Sequence, residues 1–208
     1  MAFPSVAGTN TYTTGGTNTA TNHAVAFGFT ASAGDMVVII FAYDDGGETA
    51  SANTPATWNR PFAPVDDGNA EIVTFWKVMA GGETTQTIVT TGAVPAAAHV
   101  YRITGHNSEL EAGTPAAGGL DPPTLSPSWG SDDTLWLVAG HLLDGAGNIT
   151  AAPTNYTNFL GPTEHGGGEF ELASARRENA TATENPGAFS HSGTEGRIAI
   201  TLGIRPAP

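Results

Sequence analysis

Met36-Val37-Val38-Ile39-Ile40-Phe41-Ala42-Tyr43 is the stretch on which the fold turns. It is a continuous apolar run of eight residues, dominated by β-branched side chains and entered through the turn Ala33-Gly34-Asp35. A run this short with no polar alternation reads as a central β-strand covered on both sides. It is also far below the roughly 20 apolar residues that a membrane-spanning helix needs.

Working outward, strand signals recur between turn clusters. His23 to Phe29 alternates, with Val25, Phe27 and Phe29 on one face. A polar loop from Asp44 to Gly68 carries Pro55, Pro61 and Pro64, and strand character returns at Glu71–Val78, Thr84–Thr91 and Ala97–Ile103. No long stretch keeps a 3.6-residue period free of Gly or Pro, so little helix is expected. The tract Gly8 to Asn22, GTNTYTTGGTNTATN, has no apolar periodicity. Residues 1–22 are therefore expected to form an extended N-terminal arm, solvated or laid along the sheet edge of a neighbouring subunit.

The second half repeats the plan of the first. Asp35 and Asp133 each open an apolar strand, Pro55 and Pro153 each begin a Pro-x-x-aromatic element, and 98 residues separate the members of both pairs. The same spacing sets Glu71 against Glu169. The repeat covers approximately residues 23–105 and 121–204, with a Gly/Pro-rich connector between them. Neither half has many large apolar residues, so the two are expected to share one core. The fold class is all-β: an antiparallel, jelly-roll-like β-sandwich of about 8–10 strands over residues 23–208, built from two similar halves. Two small sandwiches joined near Gly105–Asp121 are the alternative.

Composition narrows the function. The chain has 208 residues, 7 basic against 20 acidic side chains, a net charge of −13 and no cysteine. With so few cations there is no footprint for a nucleic-acid backbone or an anionic membrane surface. Lack of cysteine removes disulfides, thiolate metal sites and cysteine nucleophiles. The N-terminal stretch lacks the basic and apolar regions of a secretory signal, so any extracellular site is expected to be reached without a standard export signal, release by lysis being one such route.

Several clusters invite chemistry. Histidines at 23, 99, 106, 141, 165 and 191 show no short metal-binding spacing. His99 and His141 lie inside strands and read as core histidines, whereas His165 and His191 read as solvated. Glu169 and Glu171 alternate on one strand and so share a face, the arrangement a retaining glycosidase needs. They also describe an ordinary half-buried strand. The loop carrying Asp44, Asp45 and Glu48 is a weak calcium candidate, and Asp66-Asp67-Gly68 is a second acidic turn. Trp58 and Tyr156 occupy matching places in the repeat, either as sugar-stacking platforms or as plugs at the ends of the core. No nucleophile elbow, phosphate loop or dinucleotide fingerprint occurs. No catalytic or cofactor-binding residue is assigned.

One likeness gathers these features. The elements Gly34-Asp35 with its apolar strand, Pro55-Ala56-Thr57-Trp58, Phe75-Trp76-Lys77-Val78 and Ala97-Ala98-His99-Val100-Tyr101-Arg102-Ile103 resemble a pattern of β-sandwich structural proteins of tailed bacteriophages. It covers residues 23–105 and loosens in the second half, where the repeat sets Tyr156 against Trp58 and Ala175 against Lys77. The resemblance implies a non-enzymatic virion protein. A capsid decoration or cement protein comes first, and a tail-surface or receptor-binding carbohydrate-binding module is the alternative. It further implies virion partners such as the major capsid protein, and a homo-oligomer with a trimer as the state to test.

Overall fold

The computed structural model describes residues 1–14, 19–44, 52–68, 70–143, 147–165 (only the backbone of His165) and 170–208. Sixteen strands and no helix occur among them. They form four sheets stacked as four layers. The first inner sheet has the order β1-β8-β3-β6-β5, from β1 (Ser5–Thr13), β8 (Ala96–Thr104), β3 (Met36–Asp44), β6 (Ala70–Val78) and β5 (Val65–Asp67). The second runs β10-β16-β11-β14-β13, from β10 (Ala116–Ala117), β16 (Arg197–Pro206), β11 (Asp133–Leu142), β14 (Phe170–Ala180) and β13 (Thr157–His165), with β9 (His106–Ala112) also paired to β16. Two smaller sheets cover the outer faces. One is β2 (Ala20–Ala26), β7 (Thr85–Val94) and β4 (Ala52–Asn53); the other is β12 (Ile149–Ala151) with β15 (Ser190–His191). All pairing is antiparallel.

The apolar run at Met36 behaves as its composition dictates. β3 is the middle strand of its sheet, and Met36 through Tyr43 has no exposed surface. Its alternate residues serve two cores. Met36, Val38, Ile40 and Ala42 point into the seam between the two inner sheets, against Leu135, Leu137 and Ala139 of β11. Val37, Ile39, Phe41 and Tyr43 point the other way, against Val25, Phe27 and Ile88 under the outer sheet. In the second half, Trp136, Val138 and Leu142 pack beneath β12 and β15 with Ile149 and Phe189. Each half thus closes its own small sandwich, and the two sandwiches share the central seam.

The repeat is visible in the strand order. Ile40 lies between His99 and Thr74 in one sheet, as Ala139 lies between Ile200 and Ser174 in the other. Across the seam β8 stacks on β14 and β6 on β16, so the halves face each other about a pseudo-twofold axis. The turns Pro55-Ala56-Thr57-Trp58 and Pro153-Thr154-Asn155-Tyr156 are alike in detail. In each, the aromatic N–H donates to the proline carbonyl at 3.1 Å, and the preceding residue has positive φ, 68° at Thr57 and 70° at Asn155.

Three sequence expectations change. The strand count is higher than 8–10, because the outer sheets were not foreseen. The described parts of residues 1–22 are not an arm outside the sandwich. β1 pairs with β8 of its own chain from Ser5 to Thr13, and β2 starts at Ala20. Their threonines favour extended backbone, and the partner edge lies within the same chain. Finally, the repeat drifts in the strands. Glu71, two residues before Val73 of the outer core, corresponds to Glu171, two before Ala173, rather than to Glu169. Lys77 opposes Val37 as Arg177 opposes Trp136, so Arg177, not Ala175, is its counterpart.

Candidate functional site

The polar residues that the fold gathers most tightly sit inside the seam. His99 on β8 reaches across it, with Nδ1 2.6 Å from Ser174 Oγ on β14 and Nε2 2.9 Å from Thr163 Oγ1 on β13. Tyr101 Oη lies 2.5 Å from the same Ser174 Oγ. Burial pushes the His99 imidazole down to about 3, so it is neutral at ordinary pH. Burial likewise drives the Tyr101 phenol up to about 12, against the opposing pull of its bond to Ser174 and of the Arg176 charge. His99, Tyr101 and Ser174 are sealed. The cluster satisfies buried donors and acceptors and offers no path for a substrate.

Of the acidic candidates, Glu171 is turned inward as well. Glu171 is 1% exposed, and its Oε2 accepts the Ile149 N–H at 2.6 Å. Burial raises its pKa, the Ile149 bond opposes the rise, and Glu164 adds to it. Glu169 lies outside the described residues, so the proposed pair is represented by Glu171 alone. Of the calcium candidates, Asp44 ends β3, while Asp45 and Glu48 lie outside the described residues. Asp67 serves the fold. Its Oδ2 accepts the backbone N–H of Arg197 at 2.7 Å and of Gly118 at 3.1 Å, tying β5 to the second inner sheet. Among the described residues no three His, Asp or Glu side chains are grouped to hold a metal ion.

Trp58 and Tyr156 are each 7% exposed and packed into the two outer cores. Their ring faces are covered, which corrects the sugar-platform reading and leaves them as plugs. Tyr156 also donates its hydroxyl to Glu184 Oε1 at 3.3 Å, beside the Arg177–Glu184 ion pair at 2.8 Å. His141 is a core histidine, held low at about 4 by burial. His191 is half-buried, with Nδ1 bonded to the Gly193 carbonyl.

One sheet edge and the cavity beside it are open to solvent. β1 terminates the first inner sheet, paired with β8 on one side and with no strand on the other among the described residues. Thr9, Thr11 and Thr13 stand exposed on it, and no charged side chain occurs from Met1 to Asn22. Natural edge strands are usually blunted by charge or proline; β1 carries only one irregularity, between Val6 and Gly8. There a cavity of about 330 Å³ opens between β1 and β13, lined by residues including Val6, Gly8, Tyr101, Asn158, Leu160 and Arg176.

Sequence reading missed Ser174, Thr163 and Arg176. The signal was present in β14: Phe170, Leu172, Ser174 and Arg176 alternate on the seam face and grade from apolar to charged as the strand leaves the core. The chain matches no family model, no curated protein and no solved structure at a significant level.

Proposed function

We infer that this chain is a non-enzymatic structural protein of a tailed-phage virion, a capsid decoration protein that docks on the particle surface and on its own copies. The observation that supports the reading is the free edge of β1. It is a nine-residue strand with exposed threonines, no charge and no strand paired on its outer side among the described residues. Such an edge takes up a further strand by backbone hydrogen bonding. A stack of four layers with both inner sheets covered gives that edge a rigid backing. The polar clusters of the seam and the outer cores act as internal fastenings, in keeping with a building block rather than a catalyst. The phage assignment rests on the sequence pattern around Met36, Trp58, Lys77 and Arg102.

Particles purified on a density gradient and analysed by mass spectrometry should contain the chain, and pure protein should rebind to particles stripped of it. Deleting residues 1–22 would remove an inner-sheet strand, so the sharper variant is Thr9→Lys with Thr11→Lys, which charges the edge and spares the core. Rebinding should then fall at least tenfold with the melting temperature preserved. Absence of the chain from purified particles, or rebinding indifferent to both lysines, contradicts the reading.

A further inference from the structure

The cavity beside β1 holds a cation with no carboxylate partner among the described residues. Among the described residues four basic side chains are in ion pairs: Arg102 with Asp35, Arg177 with Glu184, Arg205 with Glu109 and Asp132, and Lys77 with Glu83. Arg176 is half-buried and has no carboxylate partner among the described residues, in a chain with 20 acids. Its guanidinium is held by one residue of β1 and one of β13. Nη1 donates to the Val6 carbonyl at 3.5 Å; with the Asn158 amide oriented to accept, Nε and Nη2 donate to it at 3.0 and 3.3 Å. A guanidinium has five N–H donors in a planar fork, so at least two are left for a guest.

The surroundings define that guest. Val6, Phe159 and Leu160 supply apolar wall, and the remaining wall includes backbone of Ala7 and Gly8. The cavity volume suits one side chain rather than a large metabolite. We propose that this cavity binds a carboxylate borne by a short extended segment of a partner protein, an Asp or Glu flanked by uncharged residues, with Arg176 as the recognising group. Deepening the docking reading, and resting on it for the partner's identity, this assigns charge selection to the site that adjoins the free edge. β1 supplies sequence-independent backbone pairing, and the half-buried Arg176 fork discriminates a carboxylate from its amide.

The test uses the whole chain and two peptides, acetyl-Val-Glu-Val-amide and acetyl-Val-Gln-Val-amide, titrated while the Nε–H resonance of Arg176 is followed by NMR. The Glu peptide should bind at least tenfold more tightly than the Gln peptide and move the Arg176 signal to saturation. In Arg176→Gln, checked for an unchanged circular dichroism spectrum, the difference between the peptides should disappear. Equal affinities in the wild type, a silent Arg176 resonance, or a difference that survives Arg176→Gln would each overturn the assignment. The wild-type peptide comparison needs no variant to fold. It also needs no virion, so carboxylate binding without particle attachment would fault the docking reading alone.

Discussion

His99 Nδ1 and Ser174 Oγ meet at 2.6 Å across the seam, joining a residue of the first half to one of the second where neither touches solvent. Ser174→Ala removes the shared partner of His99 and Tyr101 at once and strands two buried polar atoms. Each such atom costs about 1–3 kcal/mol, so urea denaturation should show a loss of about 2–6 kcal/mol. The pair His99→Ile with Ser174→Ala, which removes the stranded imidazole as well, should be less harmful than the sum of its singles.

Acid should unfold the protein early. His23, His99 and His141 have no exposed surface, and burial lowers them to about 4, 3 and 4. In the unfolded chain they titrate near 6.5, so below that pH the unfolded state binds the protons. The stability each contributes is complete above 6.5 and drains away as pH falls toward its folded value. Between pH 7 and 5 each costs on the order of 2 kcal/mol. The melting temperature should fall steeply over that range, and His141→Gln should reduce the slope by about one proton. A flat profile from pH 7 to 5 would contradict the burial of these rings.

Glu171 works with the opposite sign. Its folded pKa is raised by burial, so its favourable contribution is present below the unfolded value near 4.5 and is lost as pH rises through the folded one. Glu171→Gln keeps an acceptor for the Ile149 N–H and removes the buried charge. The variant should be more stable than wild type at pH 7 and converge with it near pH 4.5, as read from urea midpoints at both pH values.

Trp58→Ala and Tyr156→Ala each vacate the end of an outer core. Large-to-small changes of this kind cost about 3–5 kcal/mol. Calorimetry should show that loss for each variant, and Tyr156→Phe, which surrenders only the bond to Glu184, should lose less. A fully stable Trp58→Ala protein would reopen the platform reading.

How much of this was legible in the sequence depends on what the packing needed. The strand from Met36 announced itself because both of its faces are buried, so every position had to be apolar. The outer sheets were not read from the sequence, although the same fact implies them. A strand covered on both sides has no place in a sandwich whose outer faces are wet, and two such strands, one per half, require two further layers. The strand Ser5–Thr13 stayed hidden because an edge over the seam buries too little to impose alternation, and its threonines resemble those of a loop. Glu171 and Trp58 were visible as candidates, but the side they face depends on strand parity. The drift of the repeat by one or two residues obscures parity until the register is seen. Arg176 was unreadable as a site because its lack of a counter-ion is a property of its neighbours in space.

The pseudo-twofold stacking bears on the history of the chain. Two identical sandwiches meeting face to face must present the same residue at both equivalent places of their contact. Here the counterpart of His99 is Ile200, and that of Ser174 is Thr74, so the hydrogen bond exists on one side of the axis alone. An ancestor that associated as two separate copies would have been bound to duplicate any such change. In a single chain that carries both halves the two can differ independently, and a lopsided bond is one way to fix which half meets which.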